Sequence, residues 1–347
     1  MKYPELCIKV TATVHDALKQ LSNTAKGILF IEDEQGVLYG TLTDGDIRRH
    51  LLSGGTLDVT MDGVANTSPR VASDIESAKA LFDYRSYRAI PVVDGRGAIV
   101  DIYLGENDGH TKQYPPLCVP VVVNAGGKGT RLDPFTKVLP KPLIPVGEFP
   151  IIEHIFKEYQ NYSCNDFRVI VNYKKEIMKA YFADEKKDYK IKWYNEEKPL
   201  GTGGGLCFLK GELKETFFFT NCDILIKSDY KSMIDFHKEN GNLITMICAY
   251  KTVTIPYGVV EIGQNGSIDN MKEKPEYTFL TNTGMYIVEP EVLEYIENDE
   301  AVGFPDVVER VKNMGKKVAA YPIQENEWYD MGQLPELERM RARLYDE

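Results

Sequence analysis

Between Val119 and Ile155 the chain passes from an apolar stretch into a glycine-rich loop and then a basic segment spaced by prolines. Val119–Val123, β-branched apart from Pro120 and followed by Asn124, reads as a buried strand. Ala125-Gly126-Gly127-Lys128-Gly129-Thr130-Arg131-Leu132 follows at once. With no Cβ at Gly126, Gly127 and Gly129, backbone N–H groups can approach a triphosphate and a base closely. Lys128, Arg131, Lys137 and Lys141 add cationic donors around the same loop. Arg131 can grip two phosphate oxygens through its fork, whereas Lys141 acts as a point charge. Pro150 then opens an amphipathic helix with Ile151, Ile152, Ile155, Phe156 and Tyr159 on one face.

The pattern beyond this stretch extends the same theme. From Cys118 onward, strands are expected over 167–171, 191–194, 217–220, 243–249, 258–262 and 279–288. Helices are expected over 177–182, 290–296, 305–312 and 334–345. Alternation of this kind implies an α/β fold with an open, mostly parallel, Rossmann-like sheet, and ligands at the carboxyl ends of its strands. No hexapeptide repeat follows. Asn107–Leu117, polar and carrying Gly109 and Pro115-Pro116, reads as a linker.

The 347 residues leave room for two domains, and the first part has a texture of its own. Residues 14–21 read as a helix, 27–31 as a strand, 32–36 as a turn, 37–43 as a strand and 44–52 as a helix. The order then recurs: helix over 74–84, strand over 89–93, turn over 94–97, strand over 98–103. That spacing predicts an internal repeat of roughly fifty to sixty residues.

Bulk properties narrow the function classes. A net charge of −11 disfavours a nucleic-acid surface, so the basic loop suits a small anionic ligand. Six scattered cysteines without a C-x-x-C pair argue for reduced thiols and against structural zinc. No apolar run reaches membrane-spanning length and the first residues lack a signal-peptide core, so a cytoplasmic location is expected.

Two resemblances sharpen this reading. Gly126-Gly127-x-Gly129-Thr130-Arg131-Leu132 followed by Leu139-Pro140-Lys141-Pro142-Leu143-Ile144-Pro145-Val146 resembles the signature of sugar-1-phosphate nucleotidyltransferases, which have a GT-A-like fold. Leu200-Gly201-Thr202-Gly203-Gly204, Thr220-Asn221-Cys222-Asp223, Glu273-Lys274-Pro275, Asn282-Thr283-Gly284 and Trp328-Tyr329-Asp330-Met331-Gly332 fit the same family in order. Gly40-Thr41-Leu42-Thr43-Asp44-Gly45-Asp46-Ile47-Arg48-Arg49 resembles the strand-to-helix junction of a CBS domain, and Tyr87–Asp94 looks like a CBS strand after a basic turn. The expected division is a first CBS repeat over 1–58, a second with linker over 59–115, and the transferase domain over 116–347.

The resemblance implies that a sugar-1-phosphate oxygen attacks the α-phosphorus of a nucleoside triphosphate and pyrophosphate leaves. Arg131 and Lys141 would neutralise the triphosphate, and Asp223 and Asp330 would hold Mg²⁺. Ala125, Gly126, Gly127, Gly129, Thr130, Gly201 and Thr202 would meet the nucleotide. Lys274 would hold the incoming phosphate, with Gly258, Glu273 and Asn282 lining the sugar. A CBS pair commonly binds adenine nucleotides, which assigns Thr43 to phosphate and Asp46 to ribose, with helix capping as the structural alternative. The second repeat, Asp101–Glu106, lacks a T/S-x-x-D step. Such pairs associate face to face, so a homo-oligomer is expected.

The base follows from one position. Relatives that use uridine or thymidine nucleotides place Gln where Glu196 stands in Asn195-Glu196-Glu197-Lys198-Pro199. A carboxylate only accepts hydrogen bonds, which matches the N1–H and 2-amino donors of guanine and opposes the carbonyls of a pyrimidine. GTP is therefore favoured. A guanylyltransferase behind a CBS pair resembles the glucosamine-1-phosphate guanylyltransferases of bacterial legionaminic acid biosynthesis, which implies glucosamine 1-phosphate as the sugar. Mannose and heptose 1-phosphates, other bases, phosphocholine, and a sensor with an inactive transferase domain are the alternatives.

Overall fold

The computed structural model describes residues 3–24, 26–82, 89–105, 114–183 and 188–345, and the chain divides into two units, Met1–Lys112 and Gln113–Glu347. In the first unit β1 (Cys7–Lys9), α1 (Val14–Thr24), β2 (Ile28–Glu32), β3 (Leu38–Thr43) and α2 (Asp44–Leu52) precede α3 (Ile75–Leu81), β4 (Ala89–Val93) and β5 (Ile99–Leu104). β2 and β4 begin 61 residues apart, as do β3 and β5. The turns between them share one device. Asp33 Oδ1 accepts from the N–H groups of Gln35 at 2.9 Å and Val37 at 2.8 Å. Asp94 Oδ1 does the same for Arg96 at 2.9 Å and Ala98 at 3.0 Å. A carboxylate that replaces backbone partners in this way fixes a tight turn, and Gly36 and Gly97, at φ +81° and +84°, close it. Ile28 and Phe30 of one copy share a core with Ala89, Ile99 and Ile102 of the other.

Helix α3 stops at Leu81 rather than continuing to 84, because Phe82 turns extended and packs its ring edge-on against Tyr103 at 5.4 Å. Tyr84, the basic turn Tyr87-Arg88, Glu106 and most of the expected linker (107–113) lie outside the described residues.

The second unit holds β6 (Val121–Ala125), α4 (Phe135–Val138), β7 (Pro145–Val146), β8 (Phe149–Pro150), α5 (Ile151–Asn161), β9 (Asp166–Val171), α6 (Lys175–Tyr181) and β10 (Lys190–Asn195). β11 (Phe217–Asn221), β12 (Ile224–Ile226), α7 (Tyr230–Glu239), β13 (Ile244–Thr254), β14 (Val259–Ile262), β15 (Ile268–Lys272) and β16 (Glu276–Val288) follow. α8 (Phe304–Asn313), β17 (Val318–Ile323), β18 (Trp328–Asp330) and α9 (Leu334–Tyr345) complete it. A seven-stranded sheet runs β10-β9-β6-β11-β16-β13-β17, and only β16 is antiparallel to its neighbours. The mixed α/β architecture with a parallel-rich sheet is therefore present as expected.

Both faces of the sheet are covered, as buried strands of near-continuous apolar sequence require. Ile151, Ile152, Ile155, Phe156 and Tyr159 of α5 are buried with Phe218, and Phe156 stacks on Phe167 at 4.0 Å. Phe217 and Phe219, pointing the other way along β11, pack with Phe304, Val307 and Val311 of α8. Residues 290–296 form a tight 3₁₀ segment, Pro290–Tyr295, rather than an α-helix. β17 and α7 have no counterpart in the sequence reading. Among the described residues no helix is long and apolar enough to cross a membrane.

Candidate active site

Because β10, β9, β6 and β11 are parallel and in register, their carboxyl ends lie side by side: Asn195 faces Val171, Val171 faces Ala125, and Asn124 faces Asn221. The segments that leave those ends carry the glycine loop, Glu196 and Asp223. A parallel sheet collects side chains distant in sequence at one edge in this way.

At the β11 end the site is built of charge. Asp223 follows β11 by two residues, and β12 pairs with β18 so that Ile224 stands opposite Asp330. The Met331 N–H donates to the Asp223 carbonyl at 2.8 Å, which ties the two aspartates together. Lys141 is only 7% exposed and its Nζ forms an ion pair with Asp223 Oδ2. Burial first, and the Asp223 charge second, push the Asp330 carboxyl above the ordinary carboxylate range, against the Gly332 N–H, which donates at 2.7 Å, and Lys141.

The glycine loop is latched onto the same lysine. Gly129 has φ +68°, and a Cβ there would lie 2.9 Å from Thr136 Cγ2 and 3.0 Å from Lys141 Cβ. The Thr136 hydroxyl shares its one proton between Asp133 Oδ1 at 2.7 Å and the Gly129 carbonyl at 3.1 Å. Arg131 stands exposed in the single turn Thr130–Leu132, and Thr130 is exposed beside it.

At the β10 end the site holds a buried acid. Glu196 is 3% exposed, and its carboxylate is wedged between two glycines. A Cβ on Gly126 would lie 2.7 Å from Oε2, and one on Gly205 would lie 2.6 Å from Oε1. Glu196 Oε1 is buried with no hydrogen-bond partner. Burial pushes the carboxyl up to about 7, with the Leu200 N–H acting the other way. The second loop is held from behind: Gly201, at φ +76°, leaves no room for a Cβ beside the Val302 carbonyl, and Thr202 Oγ1 accepts from the Phe304 N–H at 2.9 Å. Asn124 Nδ2 donates to the Thr202 carbonyl at 3.4 Å.

The remaining positions sit elsewhere. Asn282 lies on β16, its Oδ1 accepting from Gly284 at 2.9 Å and its Nδ2 donating to the Tyr286 hydroxyl at 2.6 Å. Gly284, at φ +87°, brings this strand against Asn221, whose Nδ2 would be 2.4 Å from a Cβ. Gly258, Glu273 and Lys274 flank the exposed β14–β15 hairpin, and the Gly258 Cβ position is 3.0 Å from Glu273 Oε2. Lys274 has φ +46° and donates its N–H to Tyr257 at 3.3 Å. In the first unit Thr43 and Asp46 form a reciprocal capping box on α2. The Thr43 N–H donates to Asp46 Oδ2 at 2.8 Å and the Asp46 N–H to Thr43 Oγ1 at 3.3 Å.

The structure thus brings together the glycine loop, Lys141, Asp223, Asp330 and Glu196, and places Gly258, Glu273 and Lys274 on a separate hairpin. The sequence reading gave Lys141 and Asp223 different jobs and missed that they are partners. It also missed Gly205, although the unbroken run Gly203-Gly204-Gly205 marks a close approach. Asp223 and Asp330 supply only hard oxygen donors, the set that suits Mg²⁺ completed by phosphate and water. Among the described residues no cluster of three or more His, Cys, Asp or Glu side chains competes as a metal centre.

Comparison with known proteins identifies the family. The chain is 34% identical over 226 residues to a mannose-1-phosphate guanyltransferase of Saccharomyces cerevisiae, covering 61% of each protein. It is 31% identical over 224 residues to the mannose-1-phosphate guanylyltransferase catalytic subunit beta of Drosophila pseudoobscura pseudoobscura, covering 61% of this chain and 58% of that one. The chain thus spans about three fifths of the length of the curated relatives it matches. The crystal structure of HddC from Yersinia pseudotuberculosis superposes with a TM-score of 0.52 at 20% identity, over 65% of this chain and 99% of that one, which shows a shared fold. The CBS domain family matches residues 1–53. The Nucleotidyl transferase family matches residues 120–347, most of the chain, and the protein belongs to that family.

Proposed function

We propose that the chain transfers a guanylyl group from GTP to a sugar 1-phosphate, releasing pyrophosphate. The observation that carries this reading is the Lys141–Asp223–Asp330 cluster at the sheet edge beside the glycine loop. In the reaction a sugar-phosphate oxygen forms a bond to the α-phosphorus while the bond to the β-phosphate bridging oxygen breaks. Two polyanions must meet and charge grows on the leaving group, so the residues needed are cations and metal ligands rather than a strong base. Asp223 and Asp330 would hold Mg²⁺, which supplies charge neutralisation at the phosphates when bound. Lys141 shares its charge with Asp223 in the free site and turns toward the triphosphate when nucleotide arrives, with Arg131 beside it.

Ala125, Gly126, Gly127, Gly129 and Thr130 present backbone donors to the nucleotide, and Gly201 and Thr202 shape the second wall. Lys274 receives the sugar phosphate, and Gly258, Glu273 and Asn282 bound the sugar. Glu196 reads the base: an enclosed carboxylate whose Oε1 has no donor suits the N–H groups of guanine, and a pyrimidine carbonyl against it costs about 2–4 kcal/mol. The names of the relatives favour mannose 1-phosphate as the acceptor. The CBS match ahead of the transferase favours glucosamine 1-phosphate as the second reading. Ahead of the transferase we assign a first CBS repeat to 1–58 and a second repeat with linker to 59–115, with an adenine nucleotide at Thr43 and Asp46 and a face-to-face homo-oligomer.

The test is pyrophosphate release with Mg²⁺ from a matrix of four nucleoside triphosphates against mannose, glucosamine, glucose and heptose 1-phosphates. GTP with one of the first two should give the highest kcat/KM. A pyrimidine triphosphate equal to GTP would overturn the base assignment, and no product from any pair would overturn the activity.

A further inference from the structure

Helix α9 has no role in the reaction outlined above, yet it grips two of the three segments that carry the charged cluster. Leu337 and Met340 anchor the helix in the core. Its Arg343 guanidinium lies over the Tyr329 ring at 3.9 Å, donates to the Trp328 carbonyl at 3.4 Å and donates to the Asn326 carbonyl. Those contacts run from Asn326, just ahead of β18, to Tyr329, next to its last residue, Asp330. Two residues earlier on the same helix, Arg341 donates through Nε at 3.3 Å and Nη2 at 2.8 Å to the Pro145 carbonyl, four residues beyond Lys141.

The contacts close a circuit. Arg343 holds β18, β18 pairs with β12 next to Asp223, Asp223 is bound to Lys141, and the Lys141 segment returns through Pro145 to Arg341. Both arginines spend their donors on main-chain carbonyls, which fixes backbone position rather than balancing an acid. A planar fork with five donors is suited to that work, and a lysine cannot copy it.

We propose that Arg343 and Arg341 are positioning residues for nucleotidyl transfer: from one helix they set the separation of Asp330 and Lys141 across Asp223. The inference rests on the proposed activity and adds residues that the family signature does not contain.

The experiment compares wild type with Arg343→Met, Arg343→Lys and Arg341→Met in steady-state turnover, in Mg²⁺ titrations of activity and in amide hydrogen exchange without ligands. Arg343→Met should lose about 10–100-fold in kcat and shift the Mg²⁺ midpoint upward by a similar factor, with the nucleotide KM within about twofold. Arg343→Lys should recover only a minor part, and Arg341→Met should fall between Arg343→Met and wild type. Exchange should rise in the segment 326–331 and stay unchanged in 166–171, which a general loss of stability would not produce. Wild-type turnover and Mg²⁺ dependence in Arg343→Met, or exchange that rises equally across the sheet, would overturn the proposal. If wild type forms no product, the proposed activity fails by itself, and the exchange comparison still decides: a rise confined to 326–331 supports the clamp and its absence overturns it.

Discussion

The two ends of the site solve opposite problems. At the β11 end the acids have partners in the free protein: Lys141 pairs with Asp223, and Asp330 accepts from the Gly332 N–H. At the β10 end Glu196 is equally enclosed, yet its Oε1 has no partner and burial pushes the carboxyl to about 7. A buried acceptor left unpaired costs about 1–3 kcal/mol, so this end of the site is unfinished until a donor or a proton arrives. The contrast teaches a division of labour. The charged end is paired in the free protein, whereas the Glu196 end keeps one buried acceptor open to a donor or a proton.

The sharpest way to break the comparison is at the charged end. Asp223→Asn and Asp330→Asn should each lower kcat by about 100-fold or more while the far-UV circular dichroism is preserved. Full turnover in either variant would remove the metal assignment. At the base end, Glu196→Gln should reduce the kcat/KM preference for GTP over UTP by about 30-fold or more, because an amide offers both a donor and an acceptor. A preference that stays intact in this variant would show that Glu196 does not read the base.

The same acid makes a smaller prediction about pH. Its folded value stands above the ordinary 4.5, so the stability it contributes is full below 4.5 and is lost as pH rises through about 7. Chemical denaturation should therefore find Glu196→Gln more stable than wild type by about 1–3 kcal/mol at pH 8, with the gap closing near pH 4. GTP affinity should run the other way and strengthen as pH rises through 7, because only the carboxylate accepts both guanine donors.

The smallest effects separate the glycines of the first loop. An alanine at 126 places its Cβ 2.7 Å from Glu196 Oε2, whereas one at 127 meets nothing within 4 Å. Gly126→Ala should cost about 1–3 kcal/mol of stability and raise the GTP KM, and Gly127→Ala should leave stability within about 0.5 kcal/mol. Equal effects at the two positions would mean that the wedge around Glu196 is not what constrains the loop.

Much of the fold was legible because local patterns and the tertiary structure agree. The apolar face of α5 and the 61-residue spacing of β2–β3 and β4–β5 are both periodicities that a sequence displays directly. β17 was not legible, since Pro322 argues against a strand, and it is tolerated because β17 is the last strand of its sheet. α7 could have been found from Asp229, which accepts from the Lys231 and Ser232 N–H groups as an N-cap. The pairing of Lys141 with Asp223, 82 residues away, follows only from where β11 lies beside β6, and no local signal announces it. The wedge on Glu196 is hidden for the same reason: Gly126 and Gly205 belong to different loops and meet only at the sheet edge.

The long ribbon of β13 and β16 has a mechanical consequence. Ile244–Ile247 and Met285–Val288 belong to the buried sheet. Past a register shift at Ile247/Cys248, the same two strands continue as Cys248–Thr254 and Glu276–Asn282 toward the hairpin that carries Glu273 and Lys274. The pair is clamped by the sheet at one end, where β17 stays paired alongside as far as Ala249, and is steadied by the Thr252 N–H, which donates to Glu325 Oε2 at 3.4 Å, before it overhangs like a cantilever. From Ala249 to Thr254 it runs about 17 Å at the rise of an extended chain. A bend of about 5° at Ala249 carries Thr254 through about 1.5 Å, and a displacement of about 1 Å can change a reaction rate about 100-fold. Small strains where this ribbon leaves the core therefore reach the hairpin of Glu273 and Lys274 amplified, without any change in the residues of the hairpin itself.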